Sequence, residues 1–435
     1  MEAGARDSQS DAQSRSDPPG SIIANTRARL RAQREGDVVK FGPWMLAALC
    51  AAACATPGPS SDFDALLAQE ADPLVETTVA APDGSFRVRA MGELIAPLRI
   101  DAETGVFARF DIGTGAPAEC WFYTGERDLA NSLHLISNSI FEMVAAQGRV
   151  VDAKSIYAVD AGVAGRSPYL SLSWILRSGS TGALIKQMIG SAGARSVWCL
   201  HDQVGFSKSF ERFFLGVLAS FIPAEAEPPP DFTETVLVRV AGLNTGFAHL
   251  EMKRDGDGDT RILRKDSLLL PMGPDSILAS DGTAVEWARP DGSLINGMEA
   301  RAEGGEMVTD LQLSRTEEIW RVTGTAQGKP FEAEFTTDAP LLSTLGEYRA
   351  YRDLVSRPEA HRIYFLRWLS ANPGEAVKCT LTRTKAGADG AVLAELSAGP
   401  FEIELALDAG GPRRAILSAG RIELEMTRAA QDGSF

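Results

Sequence analysis

Four aspartates have the residue type and part of the spacing of a calcium-binding loop. Asp255, Asp257 and Asp259 alternate, and Asp266 occupies the twelfth position of the run. Carboxylates at such spacing can supply the oxygen ligands that Ca²⁺ prefers. However, Thr260 stands at the sixth position, where the loop needs glycine, and Asp-Gly steps are typical of hairpin turns. The sequence therefore favours a β-hairpin here and keeps calcium as the alternative.

Three cysteines lie outside the N-terminal apolar segment. Cys120 and Cys199 both fall in predicted strands beside tryptophans, so a disulfide between them is one interpretation and two buried free thiols are the other. Cys379 would remain unpaired. As a nucleophile it lacks a convincing partner, since His361 lies 18 residues upstream, and a buried free thiol is the favoured interpretation.

Serine hydrolase chemistry has only weak support. His201 and Asp202 are adjacent, and Ser191 or Ser207 could complete a triad on paper. The sequence has no Gly-x-Ser-x-Gly elbow, no Gly-x-Gly-x-x-Gly fingerprint and no complete P-loop. We therefore predict no catalytic residue and no cofactor, and a hydrolytic enzyme ranks third among the functions considered.

An aromatic stretch near residue 365 has the composition of a ligand pocket. Tyr364, Phe365 and Trp368 lie beside Arg362 and Arg367 in the sequence. Aromatic walls with a few charged groups are typical of small-molecule sites. The competing interpretation, which we favour, is a core strand, because aromatic residues are enriched in strands and dominate cores.

Composition excludes two further classes of function. The chain has 435 residues and a formal net charge of −15, which opposes binding to nucleic acid and to anionic lipid. Only four histidines are present, none at helical ligand spacing, and no Cys-x-x-Cys pair occurs. We therefore predict no dedicated transition-metal site and no nucleic-acid partner.

The N-terminal segments predict export. Residues 1–40 read as a disordered basic leader, and residues 41–55 contain a short apolar run typical of a signal sequence. Ala-Ala-Ala-Cys54 resembles a bacterial lipobox, which favours lipidation at Cys54, whereas ordinary cleavage after Ala55 is the alternative. Residues 56–72 would form a tether. We expect a periplasmic lipoprotein, or alternatively a secreted protein.

The first predicted domain spans residues 73–222 and mixes strands with helices. Apolar residues at three- and four-residue steps predict a helix over 128–147, and further helices are expected at 181–189 and 206–221. This order of strands and helices resembles the α/β/α sandwiches of the PsbP and DcrB type. The segment that carries most of the resemblance is Val197-Trp-Cys-Leu-His-Asp-Gln-Val-Gly-Phe206. The resemblance implies an α/β/α sandwich with a binding or scaffolding role.

A Pro-rich linker at 223–231 precedes a second predicted domain at 232–430. Many strands at short spacing and one helix at 340–354 predict a mostly antiparallel β half-barrel wrapped on that helix. With its tail Glu404-Leu-Ala-Leu-Asp408 and Ile422-Glu-Leu-Glu-Met-Thr427, it resembles LolA/LolB-type half-barrels and the exported β-domains of transglutaminase-associated bacterial proteins. The whole chain is thus predicted to belong to the α+β class.

These patterns favour a non-enzymatic envelope protein. The half-barrel would offer a concave apolar surface to a lipid-like ligand or an envelope partner protein, and a lipid anchor would connect the chain to a membrane. The alternative is a structural accessory subunit of an envelope complex, with the first domain as its docking face. The oligomeric state is left open by the sequence.

Overall fold

A computed structural model describes residues 63–435 except for 73, 82–83, 85, 96–97, 102–104, 124, 147–149, 180, 194, 224–227, 358–360, 388–389 and 420–421. The predicted leader, signal segment, lipidated Cys54 and residues 56–62 of the tether lie outside these residues. Among the described residues, no helix combines the length and the apolar character needed to cross a membrane.

The helices and strands of the described chain fall into a first region up to residue 223 and a second region from residue 232. The helices are α1 (Phe63–Leu67), α2 (Leu129–Ala146), α3 (Ser207–Ser220) and α4 (Thr344–Ser356). The strands of the first region are β1 (Glu76–Ala80), β2 (Phe86–Met91), β3 (Glu93–Leu94), β4 (Arg99–Asp101), β5 (Gly105–Asp111), β6 (Pro117–Tyr123), β7 (Ala153–Ala164), β8 (Ser167–Ser178), β9 (Thr181–Ala192), β10 (Arg195–His201) and β11 (Ile222–Pro223). The strands of the second region are β12 (Phe232–Val240), β13 (Leu243–Arg254), β14 (Thr260–Gly273), β15 (Ser276–Ala288), β16 (Leu294–Glu303), β17 (Glu306–Thr316), β18 (Ile319–Ala326), β19 (Lys329–Thr336), β20 (Arg362–Trp368), β21 (Ala376–Ala386), β22 (Val392–Ala398), β23 (Phe401–Asp408), β24 (Gly411–Ala419) and β25 (Ile422–Gly433).

The first region is built on an eight-stranded antiparallel sheet with the order β3-β5-β6-β10-β9-β8-β7, in which β4 also pairs with β5. One face packs against α3 and a small sheet of order β1-β2-β11, and its core includes Phe122, Phe213 and Phe214. The other face meets α2, where Trp174 Nε1 donates to Ser137 Oγ at 3.1 Å. Each face is thus buried by a different element.

The predicted α/β/α sandwich and the α+β class are wrong, because the chain is mostly antiparallel β. The clearest error is the segment 181–189, which was expected to be a helix and is the strand β9. Leu184, Ile185, Met188 and Ile189 are spaced like one helix face, yet all four are buried on the two sides of a central strand. A strand buried on both faces loses its alternating pattern, so periodicity alone cannot distinguish it from a helix.

The second region is a 14-stranded antiparallel sheet of order β19-β18-β17-β16-β15-β14-β13-β12-β25-β24-β23-β22-β21-β20. It curves around α4, whose Leu345, Tyr351 and Leu354 are buried in a cluster with side chains from both arms of the sheet. Near the two sheet edges, Phe335 of β19 packs in one cluster with Trp368 of β20. The predicted barrel-like curvature around one helix is therefore confirmed.

The helix inside the barrel begins at a capped position. Ser343 is the N-cap, with its hydroxyl accepting from Gly346 N at 3.3 Å and donating to Gly292 O at 2.8 Å. A serine at this position satisfies an N–H group that the first helical turn leaves unpaired. The cap thereby fixes the start of α4 against the turn between β15 and β16.

The two regions contact each other at the N-terminus of α2. Asp281 of β15 accepts hydrogen bonds from Ala130 N at 3.1 Å, from Asn131 N at 2.7 Å and from Asn131 Nδ2 at 2.9 Å. Ser267 Oγ donates to the same carboxylate. Asn131 also accepts from Gly305 N at 2.7 Å. The barrel thus supplies the carboxylate that the positive end of α2 favours.

Candidate functional site

A cavity of about 330 Å³ lies on the concave side of the barrel, between the start of α4 and the curved sheet. This volume is at the lower end of the range for small-molecule sites. Its apolar wall comes from both arms of the sheet and includes Ala284, Leu294, Phe365, Leu396, Phe401, Ile403 and Leu417. Phe401, Ile403 and Leu417 are only partly buried, so their apolar surface is available within the cavity. The curvature of the sheet is what brings these strands together.

A buried arginine forms the polar floor of the cavity. Arg367 of β20 lies 3.2 Å from Glu286 Oε1 and 2.8 Å from Glu347 Oε2. Glu286 also accepts from Thr344 N at 2.6 Å, at the first turn of α4. Burying a charge is costly unless it is paired, and here each charge has a partner of opposite sign. The floor is therefore a charge-paired network that ties β15, β20 and α4 together.

A tyrosine completes this network. Tyr351 donates its hydroxyl hydrogen to Glu347 Oε1, on the same face of α4. Burial and the neighbouring Glu347 carboxylate raise the pKa of Tyr351 well above its usual value. The phenol is thus held in its protonated form and acts as a hydrogen-bond donor.

A second polar group lies nearer to solvent. Glu299 of β16 accepts from Ser370 Oγ at 2.6 Å and lies 3.6 Å from Arg264 Nη2. The side chain of Glu299 is 13% exposed, whereas that of Arg264 is 40% exposed. Both residues line the cavity together with the exposed Ala371. These residues form the mouth of the site.

The free thiol of Cys379 lines the cavity between β20 and β22. It lies 3.8 Å from Val377 O, and burial raises its pKa to about 11. The thiolate is the nucleophilic form of cysteine, so this thiol is unreactive near neutral pH. His361 is placed opposite Arg383, four residues along β21 from Cys379, because Arg383 N donates to His361 O at 3.0 Å. The arrangement favours binding over nucleophilic chemistry.

His201 and Ser191, two members of the candidate triad, each contact other residues. His201 Nε2 lies 2.9 Å from Thr114 Oγ1, and Ser191 Oγ donates to Gly193 O at 3.2 Å. Burial, followed by the charge of Lys186, lowers the pKa of His201 to about 3. The imidazole is therefore neutral and enclosed, and Thr114 takes the position that a triad would give to serine.

The surroundings of His201 form a buried charged cluster of the first region. Lys186 Nζ donates to Gly205 O at 2.6 Å and also to Gln203 O. Burial lowers the pKa of Lys186 to about 7 and raises that of Glu119 to about 7. Because the ammonium is used by two carbonyl groups of the loop before α3, the role of Lys186 is to hold that loop in place.

The aspartate run forms the turn of the β13–β14 hairpin. Asp255 Oδ1 accepts from Asp257 N at 3.0 Å and from Asp259 N at 2.9 Å. Asp266 lies within β14 and pairs with Arg301 at 2.9 Å. Across the described part of the chain, no group of three or more His, Cys, Asp or Glu side chains is placed to hold a metal ion. The four candidate calcium ligands are thus divided between a turn and an ion pair.

Cys120 and Cys199 are opposite each other on β6 and β10, with Cα atoms 4.1 Å apart, and the structure bonds their sulfur atoms. The bond lies in the core shared with α3. Trp121 and Trp198 stack on the opposite face of the same strands, with ring centroids 4.2 Å apart. The strand pairing accounts for the proximity of the two thiols.

The side chains of the aromatic stretch 362–368 lie in two environments. Phe365, Arg367 and Trp368 line the cavity, whereas Tyr364 is 69% exposed and Arg362 is exposed beside it.

Sequence reasoning missed the acidic residues of the site, which come from β15, β16 and α4. A usable signal was present, since Glu286 interrupts the apolar stretch 284–288. An acidic residue at an inward position of a core strand requires a buried partner.

Comparison with known proteins assigns this chain to no family. No protein-family model matches the chain, and no curated protein matches it. Among solved structures, the chain is similar to a β-barrel-like protein of a domain of unknown function (DUF1849) from Brucella abortus, at 12% identity and a TM-score of 0.37. That match covers 48% of this chain and 100% of the other. The resemblances to PsbP/DcrB and LolA/LolB proteins are thus not supported by any family match.

Proposed function

We propose that this chain is a binding protein whose barrel cavity takes a lipid-like ligand, with no reaction catalysed at that site. The observation that carries the proposal is the cavity of about 330 Å³ with an apolar wall on both arms of the sheet. Cavities of this kind, apolar with a few placed polar groups, are typical of ligand sites.

The distribution of polar groups supports an amphipathic ligand. Arg367 already pairs with Glu286 and Glu347 at the floor, so an alkyl chain beside them breaks no ion pair. Glu299, Ser370 and the half-exposed Arg264 at the mouth can contact a polar head group. An apolar body inside with a polar end at the mouth is the arrangement that fits this site.

A fluorescence titration with N-phenyl-1-naphthylamine tests the proposal. This neutral apolar dye brightens in an apolar site, so we expect saturable enhancement on binding to the purified protein. The variant Gly297→Leu should fill the cavity, because Gly297 lines it and an added Cβ would contact only Val285 O at 3.5 Å and Glu286 Cγ at 3.9 Å. We expect the dye affinity to fall by about ten-fold or more, equivalent to about 1.4 kcal/mol.

The matched control is Gly182→Leu in β9 of the first region. Its added Cβ would contact only Leu176 O at 3.8 Å, at an exposed position. This variant should bind the dye as the unmodified protein does, and circular dichroism should show both variants folded. No saturable enhancement in the unmodified protein, or equal binding by the folded Gly297→Leu variant, would refute the proposed function.

We further propose that the protein is exported and lipid-anchored, with secretion as the alternative. The support is the apolar run before Cys54 in the sequence and the Cys120–Cys199 bond, since disulfides persist mainly in oxidising compartments. Intact-mass spectrometry of the protein recovered from bacterial membranes should show a diacylated or triacylated chain beginning at Cys54. A soluble product beginning at Thr56 would instead establish ordinary signal cleavage.

A further inference from the structure

The charges that line the barrel cavity do not balance. Three carboxylates, of Glu286, Glu299 and Glu347, face two guanidinium groups, of Arg264 and Arg367. The lining therefore carries a formal excess of one negative charge. In a site partly screened from water, such an excess acts on a ligand more strongly than it would in bulk solvent.

The positive end of α4 offsets only part of this excess. Thr344 N donates to Glu286 Oε2, so the helix N-terminus acts on the floor of the cavity. A helix terminus is equivalent to about half an elementary charge, and its effect falls off within the first turn. The floor, with two carboxylates on one guanidinium, therefore keeps roughly half a negative charge. The Glu299–Arg264 pair at the mouth is formally neutral, so the lining as a whole remains negative.

At the mouth, Glu299 has a partner that a ligand can replace. Its Oε2 atom lies 3.6 Å from Arg264 Nη2, and the Arg264 side chain is 40% exposed. Solvent screens the half-exposed Arg264, so this ion pair is weakly held, whereas the largely buried Glu299 would be costly to leave without a partner. Arg264 can therefore move into solvent, where its charge is well hydrated, and leave Glu299 to a cation from the ligand.

We infer that the cavity selects amphiphiles with a positively charged amine head, the ammonium group at Glu299 and the alkyl chain against Phe401, Ile403 and Leu417. The inference rests on the proposed function, because it names the ligand class of the same cavity. Ser370 Oγ holds the other oxygen of Glu299 at 2.6 Å, so the carboxylate is oriented before the ligand enters. An anionic amphiphile would instead have to pair with Arg264 and lie beside an unpaired Glu299, a like-charge contact that costs free energy.

Competition between two amphiphiles of equal chain length tests the inference. n-Dodecylammonium and n-dodecanoate, below their micelle concentrations at pH 7.4, are each used to displace N-phenyl-1-naphthylamine from the protein. We expect dodecylammonium to reach half-displacement at a concentration about ten-fold lower than dodecanoate. In Glu299→Gln the ratio should fall to about two or less, because the carboxylate charge is gone.

Glu306→Gln is the charge-matched control, since it removes one negative charge from an exposed position of β17. Its ratio should stay near ten-fold. Equal displacement by the two amphiphiles, a preference for dodecanoate, or an unchanged ratio in Glu299→Gln would overturn the inference while leaving the proposed function intact. Failure of the dye to bind at all would instead refute the proposed function.

Discussion

At the scale of single residues, Glu119 is the clearest source of pH-dependent stability. It is 5% exposed, pairs with Arg109 at 3.1 Å, and burial raises its pKa to about 7. The folded state therefore binds a proton more tightly than the unfolded state between pH 4.5 and 7. The free energy of unfolding loses a contribution on the order of 3 kcal/mol as the pH rises through this window.

The variant Glu119→Gln isolates this effect. Its free energy of unfolding, relative to the unmodified protein, should increase by roughly 3 kcal/mol between pH 4.5 and pH 8, as measured by urea denaturation at a series of pH values. The exposed Glu306→Gln variant is the control and should show a flat difference over the same range. A flat difference for Glu119→Gln as well would contradict the burial argument.

At the scale of elements, the link between β6 and β10 predicts a specific labelling pattern. If Cys120 and Cys199 are joined, alkylation of the mature, unfolded protein without reductant modifies Cys379 and leaves the pair untouched. After reduction, all three should react, and stability should drop by about 2–4 kcal/mol because the unfolded chain gains freedom. Labelling of Cys120 and Cys199 before reduction would show two free thiols instead.

The helix α2 was predictable from sequence, whereas the central strand β9, which is buried on both faces, was not. The apolar spacing that predicts a helix over 128–147 matches α2, because one face of this helix packs on the sheet and the other is more exposed. In β9, by contrast, pairing with β8 and β10 overrides a local pattern that favours a helix. Whether such a segment forms a strand or a helix is decided by its long-range pairing with other strands.

The candidate site was only partly predictable from the sequence. The stretch 362–368 had the composition of a pocket wall, and Phe365, Arg367 and Trp368 do line the cavity. The partners of Arg367 are 81 residues upstream at Glu286 and 20 residues upstream at Glu347. Sequence spacing alone gives no indication that these residues meet, since the curvature of the 14-stranded sheet brings them together.

At the scale of the whole molecule, Asp281 connects the barrel to the first region. Its carboxylate receives hydrogen bonds from two backbone amides of α2, one side-chain amide and one serine. The variant Asp281→Ala leaves these buried donors unpaired, which should cost about 3 kcal/mol of stability in urea denaturation. The amide protons of Ala130 and Asn131 should also exchange faster with solvent.

The exposed Asp338→Ala variant is the control for this connection and should change stability by less than about 0.5 kcal/mol. A similarly small change in Asp281→Ala, with unaltered exchange at Ala130 and Asn131, would show that the two regions are held together by other contacts. In that case α2 would not be the contact through which the first region stabilises the barrel.

The central claim is that the barrel cavity holds the apolar part of a ligand. A crystal structure of the protein with 12-bromododecan-1-ol bound tests it most directly, because the anomalous signal of bromine locates the chain and the head group is uncharged. We predict a bromine peak within the cavity, beside the apolar side chains of Phe365, Leu396 and Ile403. Bromine found only at exposed apolar side chains such as Met272 or Tyr364, with the cavity free of it, would contradict the account.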